Sequence, residues 1–159
     1  MVTHDPEEAM SICDKVAVMN EGKIHQIDTP INLLNNPKTI FVSSFILGNN
    51  IINLKKNGNS YMSCLGEINS SGFLKNTNFE NMSISPKFIS IKRSESGVAK
   101  VISKEFFGEF LIYKVTINGN ILRVRTDIDN LLNNGEKCTL SINKDSYYFL
   151  YPGAHKVYI

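Results

Sequence analysis

From about residue 48 to the end of the 159-residue chain, apolar and polar side chains alternate in short runs broken by turn residues. Leu111, Tyr113, Val115 and Ile117 alternate with Ile112, Lys114, Thr116 and Asn118; Asn118-Gly119-Asn120 reverses the chain, and Leu122 and Val124 alternate with Arg123 and Arg125. Successive strand side chains point to opposite faces, so such a stretch buries one face as half of a hairpin. Ile51 to Lys55 and Tyr61 to Leu65 flank Asn57-Gly58-Asn59 in the same way. Phe88-Ile89-Ser90-Ile91 after Pro86, Val98 to Glu105, Lys137 to Asn143 and Tyr147 to Tyr151 are further strand candidates. Residues 66–82 are polar and weakly patterned, which predicts a loop or irregular insertion; Asp127 to Leu132 suits one helical turn. Many short strands at this spacing predict a small closed or half-closed β-barrel.

The first 47 residues are built differently. Asp5-Pro6-Glu7-Glu8 starts a helix: Asp5 can cap, Pro6 suits the first helical position, and two carboxylates face the positive end of the dipole. Ala9, Met10, Ile12 and Cys13 give it an apolar stripe that ends near Asp14. Val16-Ala17-Val18-Met19 is a buried-strand candidate, Asn20-Glu21-Gly22-Lys23 a turn, and Ile24 to Asp28 its return strand. Thr29-Pro30 opens a short helix that Pro37 closes, and Thr39 to Leu47 is a third helix ended by Gly48. The expected fold is therefore α+β, helices plus a hairpin over 1–47 and a small β-barrel over 48–159.

Charge and composition exclude several classes. Seventeen Lys and Arg against 15 Asp and Glu leave +2, too little for nucleic-acid binding driven by charge. The longest apolar run, Ile40 to Leu47, carries Ser43 and Ser44 and is far shorter than the ~20 residues of a membrane span. Met1-Val2-Thr3-His4-Asp5 lacks the basic and apolar regions of a signal peptide. Cys13, Cys64 and Cys138 match neither a disulfide framework nor a zinc site, as expected of a reducing cytoplasm. The nineteen Asn are read as compositional bias.

Val2-Thr3-His4-Asp5, Glu7-Glu8-Ala9, Asp14-Lys15-Val16-Ala17-Val18-Met19 and Asn20-Glu21-Gly22-Lys23-Ile24 follow one another in order. Gln26, Thr29-Pro30 and Pro37 come next, then Phe41-Val42-Ser43-Ser44-Phe45-Ile46-Leu47-Gly48 and Asn50. Over about 53 residues this resembles the end of the nucleotide-binding domain in the ATP-binding subunits of ABC importers. Less specifically, Ile84-Ser85-Pro86-Lys87-Phe88-Ile89 and the Val101–Leu111 segment with Phe107-Gly108-Glu109 resemble the regulatory (TOBE-type) domain of the maltose-, polyamine- and iron-type importers. Ser85 and Lys87 stand where that subfamily has Arg and Glu.

The resemblance implies a nucleotide-binding-domain tail over 1–47 and a regulatory oligomer-binding-like barrel over 48–159 that meets its twin across a dimer. It makes His4 the switch histidine that contacts the γ-phosphate, a sensible role for a donor placed where phosphoryl charge develops. The P-loop pattern Gly-x-x-x-x-Gly-Lys-Ser/Thr, the Walker B carboxylates and the signature Ser-Gly-Gly-Gln segment do not occur in these residues; in family order they lie upstream. The expected function is thus the C-terminal, regulatory part of a transport ATPase, not an enzyme by itself and without cofactors of its own, whose full-length parent uses ATP and Mg. Expected partners are a second copy and the transmembrane permease subunits, with no nucleic acid. The expected location is cytoplasmic, at the inner face of the membrane, and the solute iron(III) or a polyamine ahead of others. Apolar surface left without its covering strands predicts self-association.

Plainer readings compete. Thr-His-Asp by itself is a surface histidine beside a helix start. His25 and His155 are expected in solvent, Cys13 in the core, and Glu7-Glu8 as helix-start charges. Arg123, Arg125 and Lys114 are either a solvated strand face or an anion site of a stand-alone anion-binding barrel. Tyr147, Tyr148, Phe149 and Tyr151 are either strand core or the stacking platform of an oligonucleotide-binding barrel.

Overall fold

The computed structural model describes residues 2–69, 78–129 and 131–159. Helix α1 (Pro6–Ile12) leads into the hairpin β1 (Val16–Asn20) and β2 (Lys23–Asp28), followed by α2 (Pro30–Asn35) and α3 (Ile40–Leu47). All three helices start as their sequences require: the side chains of Asp5, Thr29 and Thr39 each accept from backbone N–H groups of the first turn. Gly48 ends α3 in the left-handed conformation. These elements share a small core of Val18, Leu33 and Val42. Buried Gln26 braces it: its Nε2 donates to the Asn36 carbonyl (3.1 Å), and its Oε1 accepts from the Lys38 N–H (2.8 Å).

The rest of the chain is β. Strands β3 (Asn50–Asn53), β4 (Lys55–Asn57), β5 (Ser60–Ser63), β6 (Gly66–Asn69) and β7 (Asn81–Ile84) precede a 3₁₀ turn (Pro86–Phe88). Then come β8 (Ile89–Arg93), β9 (Ala99–Phe106), β10 (Phe110–Ile117), β11 (Asn120–Asp127), β12 (Lys137–Ile142), β13 (Tyr147–Tyr151) and β14 (His155–Tyr158). They form a five-stranded sheet ordered β11-β10-β9-β12-β8, a four-stranded sheet β14-β13-β7-β3 and a three-stranded sheet β4-β5-β6, every pairing antiparallel. The five-stranded sheet curls until its ends, β11 and β8, touch without pairing. Four antiparallel steps separate those ends, so they run in the same direction. The result is a half-closed barrel around one core, which includes Tyr113, Leu111, Val115, Val124, Ile89 and Met82. The 111–125 hairpin forms with Ile117 opposite Asn120. Asn118 and Gly119 both have positive φ (48° and 78°), the type I′ turn whose twist matches two paired strands.

Four expectations change. Ile51 to Lys55 is not one strand: buried Leu54 still holds to the four-stranded sheet, its N–H donating to the Glu80 carbonyl (2.8 Å) one step on in the same register, and the chain then enters the three-stranded sheet as β4. The 66–82 segment is not a plain loop: β6 occupies 66–69, where Ile68 is buried, and β7 starts at Asn81; residues 70–77 lie outside the described residues. Asp127 to Leu132 forms no helical turn among its described residues. Leu132 is instead drawn into the core, its N–H donating to the Tyr113 hydroxyl (2.8 Å). Strand β14 had no sequence signal beyond its neighbour, and pairs along β13 from Tyr158 opposite Tyr147 to His155 opposite Leu150.

The two parts are joined by buried polar groups. Ser43 Oγ and Ser83 Oγ are 2.5 Å apart, and Asn49 Nδ2 donates to both (3.2 and 3.1 Å). The Tyr151 hydroxyl donates to the Pro37 carbonyl (2.6 Å). Asn50 presents its carboxamide to the edge of β11 as a strand would, donating to the Arg123 carbonyl and accepting from the Arg123 N–H, both at 2.8 Å.

Candidate functional site

His4 is exposed, one residue before the cap of α1. The backbone around it is held locally: the Asp5 N–H donates to Thr3 Oγ1 (3.1 Å), and Asp5 Oδ1 accepts from the Glu7 and Glu8 N–H groups (2.9 and 3.3 Å). Asp5 is thus committed to the helix start, while the imidazole faces solvent. Glu7 and Glu8 lie in that first turn, as expected of helix-start charges.

Two residues beyond His4, Pro6 and Glu7 form one wall of a groove of about 340 Å³. The end of α3 (Phe45 to Gly48), the Ser85–Lys87 corner and the outer face of the β10–β11 hairpin complete it. Arg123 and Arg125 line this groove. They share an outward face with Lys114, as the alternation predicts, but the three do not act together. Lys114 Nζ is taken by Glu105 (3.1 Å). Arg123 packs beside Gly48, where the last carbonyls of α3 favour a cation. The Arg125 guanidinium lies 3.8 Å over the Phe110 ring. Lys87 and Lys92 enter the same neighbourhood, which sequence reading missed: β8 meets β11 only through closure of the sheet.

The remaining candidates separate. His25 is half-buried, not in solvent: its Nδ1 lies 3.2 Å from Thr39 Oγ1 and its ring 4.8 Å from that of Phe41, a consequence of α3 folding over β2. His155 is exposed, its ring 5.5 Å from that of Phe79. Cys13 is half-buried at the end of α1, short of a core position; Cys64 is also half-buried, Cys138 is buried, and burial pushes both of their thiols up. Tyr148, Phe149 and Tyr151 are core side chains, which leaves no row of open rings for bases to stack on.

Nucleotide and Mg do not fit the described residues by themselves. The glycine-rich phosphate cradle is absent from the sequence, and among the described residues no three His, Cys, Asp or Glu side chains gather where a cation could be held. His4 supplies one donor and no cradle.

Comparison with known proteins points one way. The chain is 56% identical over 61 residues to the spermidine/putrescine import ATP-binding protein of Bacillus anthracis, covering 38% of this chain and 18% of the relative. It is 57% identical over 51 residues to the protein of the same name from Desulfitobacterium hafniense, 32% of this chain and 15% of the relative. The corresponding Mycoplasma capricolum protein is 38% identical over 114 residues, 68% of this chain. In part of its length, the chain is homologous to polyamine-type import ATP-binding proteins. It spans between 15% and 32% of the length of these relatives. No protein-family model matches it. No helix among the described residues is long and apolar enough to cross a membrane.

Proposed function

We propose that this chain is the C-terminal, regulatory part of an ATP-binding subunit of an ABC importer, with polyamines as the transported solutes. Residues 1–47 would be the tail of the nucleotide-binding domain and residues 48–159 the regulatory barrel. The observation that carries the reading is the 38% identity over 68% of the chain to a spermidine/putrescine import ATP-binding protein. The fold agrees with it: a half-closed five-stranded barrel follows a capped helix with an exposed histidine at its head. The polyamine names of the relatives favour that solute over iron(III), which the sequence had left level with it.

On this reading His4 donates a hydrogen bond to the transferring phosphoryl group in the complete subunit, where the upstream domain supplies the cradle and the metal ligands. The 159 residues by themselves do not hydrolyse ATP. The working assembly is a homodimer bound to permease subunits at the cytoplasmic face. The bare apolar residues Ile12, Met19, Ile24 and Ile27 on α1 and the β1–β2 hairpin suit contact with more protein.

A chimera tests this. The upstream region of a curated relative is joined to this chain in place of the matching segment, in cells lacking their own polyamine importer. Restored spermidine uptake is the expected result, with loss of roughly 10²–10³ in turnover for the His4→Ala chimera. A well-folded chimera that binds ATP but transports nothing, or an active His4→Ala chimera, would overturn the reading.

A further inference from the structure

A groove of about 560 Å³ lies along the unpaired seam of the barrel, between β8 and the end of β11. Lys87, Lys92 and Arg125 line it, with Ser90, Thr126 and Asn143 as polar groups and Asp127 as the one carboxylate. Three cations against one anion leave an excess of two charges here, as large as the formal net charge of the whole chain. The rest of the sequence, taken together, therefore sums to zero. Among the described residues the ion pairs are Arg93–Glu136 and Lys114–Glu105, and neither draws on the seam cations.

Two of these cations, Arg125 and Lys87, are held without being neutralised. Arg125 is stacked 3.8 Å over Phe110, and the Lys87 ammonium lies 4.9 Å over Phe88. An aromatic face steadies a cation but leaves its charge and its edge N–H donors available, unlike a carboxylate. The lip on the β8 side is pinned too. Ser90 donates to Asn143 Oδ1, and Asn143 Nδ2 donates to the Lys87 carbonyl (3.2 Å), which fixes the backbone carrying Lys87. The neighbouring groove shares Lys87 and Arg125 and adds Arg123, against Glu7. The positive strip therefore runs past one groove width, long enough for more than one anionic group.

We propose that the barrel seam is a binding site for a small phosphorylated anion, with Arg125 as the planar fork and Lys87 and Lys92 as flanking point charges. This site is separate from the nucleotide chemistry assigned to His4, and it holds whether or not the chain serves polyamine import. A ligand bridging β8 and β11 would fasten the one junction of the barrel that lacks a hydrogen-bond ladder, so binding would stiffen the domain. That is the behaviour of a regulatory input.

The test is titration of the full 159-residue chain with inorganic pyrophosphate at constant ionic strength, followed by calorimetry and by amide NMR shifts. Expected are one saturable site, shifts centred on residues 87–92 and 125–127, and at least tenfold weaker binding in both Arg125→Gln and Lys87→Gln/Lys92→Gln. Lys55→Gln/Lys56→Gln, on the separate three-stranded sheet, should bind as the parent does. Thermal unfolding of each variant checks that folding is retained, and two independent variants guard against the failure of either. Absence of saturable binding, or equal weakening in the Lys55/Lys56 variant, overturns the proposal. So does a poly-dT or poly-U strand that outcompetes pyrophosphate at the seam, since the site would then belong to nucleic acid.

Discussion

Gly97 shows how one atom can be forbidden by tertiary packing. A Cβ there would sit 2.1 Å from the Cys138 carbonyl oxygen and 2.4 Å from its carbon. Both contacts are backbone, so nothing can swing aside. Gly97→Ala is expected to destabilise the chain by about 3 kcal/mol, at the upper end of ordinary overpacking, as read by urea unfolding. Nothing near Gly97 in the sequence announces this, since its contact lies 41 positions away on the neighbouring strand. Tyr151 is a second case. Its hydroxyl is buried and donates to the Pro37 carbonyl; desolvation pushes it up to about 12, against a small opposing hydrogen bond with Ser43. Above pH 10 the unfolded chain has released this proton while the folded chain keeps it, so stability falls as pH rises. The slope for this group approaches 1.4 kcal/mol per pH unit between about pH 10 and 12. Tyr151→Phe is expected to lower stability by about 1 kcal/mol at pH 7 and to flatten that alkaline slope, measured by unfolding at pH 7 and 11.

Among the elements, the β1–β2 hairpin and the β9–β10–β11 meander differ most. The first is a two-stranded sheet with Met19, Ile24 and Ile27 more than half exposed, and it contributes one buried side chain, Val18, to a three-residue core. Two-stranded sheets are marginal in water. The second has β10 paired on both sides, with Leu111, Tyr113 and Val115 fully buried. Hydrogen exchange in the isolated chain is therefore expected to be fast at Ala17, Val18 and Gln26 and slowest along β10. Equal protection in the two would contradict this account. The strands of both, and the turns at Asn20–Lys23 and Asn118-Gly119, were readable locally, because alternation and two-residue turns act over a few bonds. The split at Leu54 and strand β14 were not, since each depends on which distant edge is free to pair.

At the scale of the whole molecule, every residue of the larger buried core lies beyond position 48, from Ile52 to Leu150. Residues 48–159 are therefore expected to fold cooperatively without the first 47, with loss of the Tyr151–Pro37 and Ser43–Ser83 hydrogen bonds lowering the melting temperature by several degrees. Residues 1–47 produced alone should show no cooperative transition. A broad, non-cooperative melt of 48–159 would place the division elsewhere. Light scattering on the 159-residue chain is expected to show mass rising with concentration, as the bare hairpin face finds a second copy; deleting 1–47 separates that contribution from any made by the barrel.

His4 was legible as a candidate because a short ordered motif carries it, and its exposure beside a capped helix is a local matter that Asp5 and Pro6 decide. The seam cations were legible only in part. Alternation put Arg123 and Arg125 on one outward face, but it also put Lys114 there, and only the fold gave Lys114 to Glu105 and brought in Lys87 and Lys92. The sequence by itself determined the α+β class, the helix starts, the chain reversal at Asn118-Gly119 and which strand face is buried. Periodicity and backbone sterics are properties of neighbouring residues. The tertiary structure alone decided the sheet order, the half-closed seam and the company of Arg125, because each joins residues far apart in the chain whose pairing is set by global packing.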